Sequence, residues 1–281
     1  MMILIIISIG FHLVAANSNN QHGWCNCGLF QLSTRIINGT VAPEGTHPWA
    51  VALMHRYYFS IFSWATEFCG GSIITPKHIL TAAHCLKDKI ASKVWIAVGQ
   101  HDLRKLKEKN LISSDMLIIH ENYDDNIYDI GLVITSRQIK YNLLVSPVCL
   151  PKTKLELETK GAKVTVAGWG QTSISGYGSK VLRQVELDVA SIKECSNIYP
   201  GPFINQLCTY TNGKSPYLGD SGSAVIWKNP ENGEQVQVGL VSYGGSKIIL
   251  PSVNTDVSAY LDWIEDIVND IRPRQSICTG N

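Results

Sequence analysis

One serine and one histidine of this chain lie in contexts that suit nucleophilic catalysis. Ser221 lies in the Gly-Asp-Ser-Gly run 219–222, and His84 lies 137 residues earlier, in the Thr-Ala-Ala-His-Cys run 81–85. A serine hydroxyl is a weak nucleophile at neutral pH, so it needs a nearby base and donors for the developing oxyanion. The two runs predict that His84 and Ser221 meet in the fold, although a single histidine is more often a bystander.

A base of this kind also needs a carboxylate to hold its useful tautomer and to stabilise the imidazolium. Asp129 fits best, because it directly precedes the apolar run 130–134, whereas Asp124 and Asp125 lie in a polar stretch. The alternative interpretation is that Asp129 only caps a turn. The sequence therefore predicts a Ser-His-Asp arrangement whose members are far apart in the chain.

The elements that would position these residues are mostly strands. Short apolar runs, rich in β-branched residues, alternate with Gly, Pro, Asn or charged residues, which predicts an all-β sandwich or a pair of barrels. Near the end, apolar residues at three- and four-residue spacing predict an amphipathic helix over 257–271. The predicted strands include 49–54, 72–74, 78–80, 94–98, 116–119, 132–134, 164–167, 185–189, 224–227 and 236–241.

Composition and the N-terminal segment indicate the compartment. The chain has 281 residues, 45% of them hydrophobic, and a formal net charge of +1, which gives no electrostatic case for nucleic acid or an anionic membrane. Residues 1–16 form an apolar run that ends in Val-Ala-Ala, shorter than the about 20 residues of a membrane span. We interpret this run as a signal peptide and expect a secreted, extracellular protein.

The chain contains eight cysteines, an even number that favours disulfides in an oxidising compartment. Metal ligation is the alternative, but no pair has the CxxC spacing of a zinc site, and Cys25 and Cys27 have no neighbouring histidine pair. We expect no metal and no cofactor. Residues 17–35 are polar and end at Arg35, which separates them from the strand-rich part that follows.

Seven short runs stand out along the chain: RIING at 35–39, FCGGS at 68–72, TAAHC at 81–85, DI at 129–130, VAGWG at 166–170, GDSG at 219–222 and VSYG at 241–244. They occur in the order found in the chymotrypsin-like serine proteases, and together they resemble that family over residues 36 to about 271. The resemblance implies two antiparallel six-stranded β-barrels with a C-terminal α-helix, and a serine endopeptidase domain over 36–281. It implies that Ser221 is the nucleophile, His84 the base and Asp129 the orienting carboxylate, with the N–H groups of Gly219 and Ser221 as the oxyanion hole.

The same resemblance implies activation by proteolysis. Cleavage after Arg35 by an Arg-specific protease would free the amine of Ile36, which would pair with Asp220 and shape the loop that carries Gly219. Residues 17–35 would then be a prosegment. Its Cys-x-Cys-Gly pattern looks like that of secreted insect serine proteases of the bee and wasp venom type. The implied disulfides are Cys69–Cys85, Cys195–Cys208, Cys27–Cys149 and Cys25–Cys278.

The predicted substrate pocket departs from the trypsin-like pattern. Ser215 stands six residues before the nucleophile, where trypsin-like enzymes carry an acid, so a cationic substrate side chain would meet no counter-charge. An apolar or aromatic residue before the scissile bond is therefore the expected substrate. The other residues assigned to the pocket by the resemblance are Ser242, Tyr243, Gly244 and Ser252.

Two further departures bear on activity. Tyr217 replaces a cysteine of the bridge that usually straps the pocket rim, and Ser223 and Ala224 replace the Gly-Pro that usually follows Gly222. We expect Ser223 to strain the nucleophile loop if its backbone conformation requires glycine.

These departures leave a second hypothesis, a protease-fold binding protein that cleaves poorly. Under the first hypothesis, the expected partners are protein or peptide substrates, an activating protease and protein protease inhibitors. Asn38 begins an N-glycosylation acceptor sequence, but it lies two residues after the new terminus.

Overall fold

The computed structural model of the protein describes residues 27–28, 40–59, 62–89, 93–158, 161–172, 176–244 and 249–280. The predicted signal peptide lies outside these residues, and so does the prosegment except for 27–28. Four residues singled out above also lie outside them, namely Cys25, Arg35, Ile36 and Asn38. Within the described ranges, no helix combines the length and apolar character that a membrane crossing requires.

Strands dominate the described part of the chain, as the alternating pattern predicts. They are β1 (Thr40–Val41), β2 (Ala50–Phe59), β3 (Phe62–Ile73), β4 (His78–Thr81), β5 (Trp95–Val98), β6 (Leu111–Ile119), β7 (Gly131–Thr135), β8 (Leu150–Pro151), β9 (Lys163–Gly168), β10 (Arg183–Ala190), β11 (Gln206–Tyr210), β12 (Ala224–Lys228), β13 (Gln235–Gly244), β14 (Ser252–Asp256) and β15 (Thr279–Gly280).

These strands form two closed six-stranded antiparallel barrels, which confirms the predicted fold class. The first barrel has the strand order β2-β3-β4-β7-β6-β5. In the second, the order β10-β11-β14-β13-β12-β9 is closed by pairing of β10 with β9, and β1 extends the sheet beside β10. The C-terminal strand β15 pairs in parallel with β8, in the connection between the barrels. Closure leaves few exposed strand edges and gives each barrel a packed interior.

The two helices are α1 (Ile192–Ser196) and α2 (Leu261–Asp270), and α2 follows a 3₁₀ turn at Val257–Tyr260. The periodicity of the C-terminal segment therefore predicted its helical part and its buried face, where Ile264 and Val268 are buried. The sequence pattern missed β11 and β14. These strands carry polar residues that are buried yet hydrogen-bonded, such as Asn254, whose amide donates to Thr209 Oγ1 at 3.0 Å, so they lack a clear apolar signal.

One hydrophobic cluster runs from the interior of the first barrel into the contact with the second. It joins Leu53 and Ile96 of the first barrel to Ala224 and Leu240 of the second, and it continues to Ile264 of α2. A buried hydrogen bond from Ser72 Oγ to Gln237 Oε1, 2.6 Å long, crosses the same contact. This shared core fixes the relative placement of loops that come from different barrels.

Three disulfides brace the structure, and they are three of the four pairings that the resemblance implies: Cys27–Cys149, Cys69–Cys85 and Cys195–Cys208. The fourth implied pairing involves Cys25, outside the described residues, and Cys278, which is buried. Cys278 lies in the same hydrophobic cluster as Cys27 and Cys149. Its carbonyl accepts the Leu150 N–H at 2.8 Å, so the C-terminal tail packs beside the connection between the barrels.

Candidate active site

His84 lies in a short 3₁₀ turn, Ala83–Cys85, immediately after β4. The Cys69–Cys85 disulfide ties this turn to β3, and Ala82 and Ala83 are fully buried beneath it. The imidazole remains 28% exposed. The local sequence thus combines a buried anchor with a reachable side chain, which is the placement that a general base requires.

Asp129 contacts His84 through both carboxylate oxygens. His84 Nδ1 lies 2.8 Å from Asp129 Oδ2, and the His84 backbone N–H donates to Asp129 Oδ1 at 2.9 Å. The Asp129 side chain is only 1% exposed. Because a carboxylate accepts hydrogen bonds, this contact places the proton on Nδ1 and leaves Nε2 as the acceptor nitrogen of a neutral imidazole.

Residues of the second barrel hold Asp129 from the other side. Ser242 Oγ donates to Asp129 Oδ2 at 2.5 Å, and Thr255 Oγ1 donates to the Asp129 carbonyl at 2.8 Å. A buried carboxylate is costly unless such donors compensate for the water it loses. Ser242 was assigned to the substrate pocket from the sequence. In the structure its hydroxyl donates to Asp129, a contact that the sequence did not indicate.

The Ser221 loop packs against the elements that carry His84. The Ser221 carbonyl accepts the Gly70 N–H at 2.8 Å, and Gly70 adjoins Cys69 of the disulfide that holds Cys85. Gly222 has a φ of +76°, and a β-carbon there would lie 2.2 Å from Thr81 Oγ1. Only glycine fits this close approach, which brings the nucleophile loop onto the end of β4.

Among the described residues, no hydrogen bond joins Ser221 Oγ to His84 Nε2. Such bonds are often long or poorly aligned in a protein without substrate, and they tighten when substrate binds. The backbone contacts described above are therefore what places Ser221 beside the His84 turn.

The residues before Ser221 form a turn in which the Asp220 N–H donates to the Tyr217 carbonyl at 2.9 Å. Gly219 has a φ of +99°, and a β-carbon there would lie 3.0 Å from Gly170 Cα. Within the described residues, neither the Gly219 nor the Ser221 N–H donates to a backbone carbonyl. Both donors are available to an oxyanion.

Asp220 points back into the protein. Its carboxylate accepts the backbone N–H groups of Gly170 and Tyr217, each at 2.9 Å. Burial raises the pKa of Asp220 to about 6. No salt bridge joins it to a cation within the described ranges. Asp220 is half-buried as a residue, and the partners of its carboxylate among the described residues are backbone N–H groups.

Glu67 is a second acid near Asp220 that the sequence reading missed. Burial raises its pKa to about 9, and the charge of Asp220 adds to this shift. Its Oε1 atom has no hydrogen-bond partner among the described residues. Glu67 lies one residue before the FCGGS run, and a charged residue within an otherwise apolar strand was the only sequence signal for it.

Two of the predicted pocket serines meet at the end of the second barrel. Ser215 Oγ and Ser252 Oγ lie 3.2 Å apart, and Ser215 Oγ also donates to the Pro216 carbonyl at 2.8 Å. Ser252 begins β14, beside Gly244 at the end of β13. These hydroxyls are neutral, so the pair offers hydrogen bonds and no negative charge.

Tyr199 forms a rim contact that the sequence did not indicate. Its hydroxyl donates to the Pro251 carbonyl at 2.8 Å, and its ring lies 5.7 Å from Tyr243 in an edge-to-face arrangement. A β-carbon at Gly244 would lie 2.9 Å from this hydroxyl, so Gly244 makes room for Tyr199. The contact joins Tyr199 to the ends of β13 and β14, where the predicted pocket residues Tyr243, Gly244 and Ser252 lie. A tyrosine in a polar loop gives no signal of such a role.

The expected strain at Ser223 is not found. Positive φ values fall on Gly219 and Gly222, whereas Ser223 is absent from the described non-glycine residues with positive φ. Ser223 is buried, and its hydroxyl fills the space left by the missing side chain of Gly70. The extra atoms are therefore accommodated without a forbidden backbone conformation.

Two groups of metal-type side chains lie close together in the described chain, Cys69–His84–Cys85 and Cys27–Cys149–Glu234. In both groups the cysteines are joined in disulfides. A thiolate is the form that binds metal, so these groups do not offer the ligands that a metal requires.

The two barrels, with the His84–Asp129 pair and the Ser221 loop between them, define the chymotrypsin-like class of serine hydrolases. Comparison with known proteins agrees, because residues 36–264 match the family model described as Trypsin. The chain belongs to the trypsin family and is a serine endopeptidase.

Three relatives illustrate the likeness. Venom serine protease 34 of Apis mellifera is 35% identical over 85% of this chain and 60% of its own length. A venom serine protease of Polistes dominula is 32% identical over 94% of both chains. Chymotrypsin-2 of Vespa crabro is 36% identical over 82% of this chain and 98% of its own length.

Proposed function

We propose that this protein is a secreted serine endopeptidase, made as a zymogen, that hydrolyses peptide bonds with Ser221, His84 and Asp129. The observation that carries the proposal is the buried Asp129 carboxylate. It lies 2.8 Å from His84 Nδ1, which leaves Nε2 as the nitrogen that can accept the proton of Ser221. The alternative, a protease-fold protein that binds without cleaving, has less support, because all three side chains are present and the required donors surround Asp129.

In the proposed reaction, Ser221 Oγ attacks the scissile carbonyl carbon while its proton moves to His84 Nε2. The N–H groups of Gly219 and Ser221 stabilise the oxyanion, and Asp129 stabilises the imidazolium. Collapse of the intermediate breaks the C–N bond, and His84 gives its proton to the leaving amine. A water molecule, deprotonated by His84, then attacks the acyl-enzyme and releases the acid with regeneration of Ser221.

The proposal includes activation by an Arg-specific protease that cleaves after Arg35. The new Ile36 amine would supply the cation that the buried Asp220 carboxylate lacks among the described residues. The Cys27–Cys149 disulfide would keep the cleaved prosegment attached to the protease domain, and a Cys25–Cys278 disulfide would add a second link. Residues 1–16 would act as the signal peptide. The other proposed partners are protein substrates and protein protease inhibitors.

An active-site phosphonate tests the proposed function. The chain cleaved after Arg35 should be labelled covalently and with one equivalent, because the phosphonate reacts with a serine that a neighbouring base activates. Intact-mass spectrometry measures the adduct, and peptide mapping should place it on Ser221. A cleaved chain that stays unlabelled, yet still binds protein ligands, would support the alternative.

The neutral pocket floor predicts cleavage after apolar or aromatic residues. Ser215→Asp should raise kcat/KM for an Arg substrate relative to a Phe substrate by at least about tenfold, because it supplies the missing counter-charge. A peptide library read by mass spectrometry measures both preferences. Ser215→Asn is the control of equal size without charge. A parent enzyme that already prefers Arg, or equal profiles for the two variants, would contradict this assignment.

A further inference from the structure

Tyr128, the residue before Asp129, has a backbone φ of +53°. This value lies in the left-handed region, which bulky side chains rarely adopt and which asparagine and aspartate tolerate better. The other described non-glycine residues with positive φ are Asp125 and Asn205, both of the tolerant types. An aromatic residue in this conformation needs surroundings that hold it there.

Three rings supply those surroundings. The Tyr128 ring stacks on His120 with centroids 5.0 Å apart and planes 18° apart, and it meets the edge of Tyr260 at 6.2 Å. His120 in turn packs against Tyr260 at 5.4 Å and against Trp263 of α2 at 5.2 Å. We call His120, Tyr128, Tyr260 and Trp263 the aromatic cluster.

The stack depends on a neutral His120. The Asn122 backbone N–H donates to His120 Nδ1 at 3.2 Å, which requires an unprotonated nitrogen there. Burial lowers the pKa of His120, and Glu121, whose Oε2 lies 3.9 Å from Nδ1, is the acid that opposes this shift. Trp263 Nε1 donates to the same Glu121 oxygen at 3.1 Å, so Glu121 also connects the turn after β6 to α2.

The left-handed residue turns the chain sharply at Asp129. The Tyr128 carbonyl accepts the Ile130 N–H at 2.8 Å, which closes a tight turn with Asp129 at its centre. The Ile130 carbonyl then accepts the His120 N–H at 3.1 Å, so the turn is joined to the residue on which Tyr128 stacks. At the centre of this turn, the Asp129 carboxylate is directed at His84.

We propose that Tyr128 is a positioning residue: the aromatic cluster holds its backbone in the left-handed conformation that aims the Asp129 carboxylate at His84. The inference rests on the proposed triad. Tyr128 touches neither substrate nor His84 in this scheme, and it acts only through Asp129. The cluster links α2, in the C-terminal segment, to the orientation of the catalytic base.

The test uses the full chain cleaved after Arg35. Tyr128→Val replaces the ring by a β-branched side chain that disfavours the left-handed region, and it should lower kcat by about 10- to 100-fold with little change in KM. It should also move the acidic limb of the kcat/KM profile to lower pH, because a displaced carboxylate stabilises the protonated imidazolium less. A change in stability alone would not move this limb.

Matched variants separate the effect of the Tyr128 backbone conformation from the effect of its ring. Tyr128→Phe keeps ring and conformation and should match the parent, and Tyr128→Asn, which tolerates positive φ, should retain most of the kcat. His120→Leu removes the stacked ring and should shift the acidic limb in the same direction as Tyr128→Val. If Tyr128→Val does not fold, the His120→Leu variant tests whether the aromatic cluster orients Asp129.

The inference is overturned if Tyr128→Val keeps the parental kcat and pH profile, or if Tyr128→Asn loses as much as Tyr128→Val. It is also overturned if a folded His120→Leu has the parental profile. Failure of the proposed function looks different, because the parent itself would then resist labelling by the phosphonate. If the phosphonate labels the parent but the variants keep the parental kinetics, the role of Tyr128 is wrong and the proposed function still stands.

Discussion

Ser221→Ala should abolish peptide hydrolysis by the cleaved chain, with kcat lower by about 10⁶-fold. This is the scale of loss when the nucleophile of a Ser-His-Asp triad is removed, because the remaining residues still bind substrate but form no acyl-enzyme. Single-turnover assays with a peptide ester and a peptide amide measure the loss. The KM should change little, since the hydroxyl contributes to the reaction more than to binding.

The control for this variant is Ser196→Ala. Ser196 ends α1, and its hydroxyl donates only to the Lys193 carbonyl, so its loss should leave kcat unchanged. Both variants should unfold at nearly the parental temperature, which thermal denaturation followed by circular dichroism checks. Residual hydrolysis by Ser221→Ala within about tenfold of the parent would assign the nucleophile elsewhere and end the triad proposal.

Asp220→Asn should leave the uncleaved chain folded but prevent activation after cleavage at Arg35, with kcat/KM about 100- to 4,000-fold below the cleaved parent. Removing one partner of a buried ion pair costs about 3–5 kcal/mol, which corresponds to that range. In this protein, the lost ion pair would no longer stabilise the loop that presents the Gly219 N–H. Kinetics after cleavage by an Arg-specific protease measure the effect.

The pH dependence of the uncleaved chain gives an independent check on Asp220. Its pKa is raised to about 6 in the folded chain, so the folded state binds the proton more tightly than the unfolded state. Stability of the uncleaved parent should therefore fall as pH rises from about 4 to about 6, and Asp220→Asn should lack this part of the slope. Urea unfolding at several pH values measures both.

Arg35→Gln is the matched control for activation. It should resist the activating protease while keeping Asp220 intact, so its inactivity should be reversed when another cleavable residue is placed at the same position. If Asp220→Asn activates normally after cleavage, the pairing of Asp220 with the Ile36 amine is wrong, even if Ser221 is still the nucleophile.

Much of the fold could be predicted from local patterns. Strands such as β7 and β13 are buried and β-branched, so their apolar runs indicated them directly, and the spacing of Tyr260, Ile264 and Ile267 indicated the C-terminal helix. The pattern failed where a buried strand is polar. In β14 the buried side chains of Asn254 and Thr255 donate to Thr209 of the neighbouring strand and to the carbonyl of Asp129, and no local pattern reveals those acceptors.

The site shows the same division. Residue types and short runs indicated His84, Asp129 and Ser221, because each carries chemistry that needs a recognisable context. The supporting residues carry no such context. Tyr199 at the pocket rim, Glu67 near Asp220 and the left-handed Tyr128 were all missed. Ser242 was assigned to the pocket, yet its hydroxyl supports the Asp129 carboxylate.

The sequence by itself determined the two-barrel fold class, the residue types of the catalytic set and the cysteines available for bridges. Only the tertiary structure decided which donors surround the Asp129 carboxylate, which acid lies near Asp220 and which backbone conformation precedes Asp129. The physical reason is distance along the chain. Hydrogen bonds and ring contacts between residues more than a hundred positions apart, such as Ser242 with Asp129, exist only after both barrels have closed and packed together.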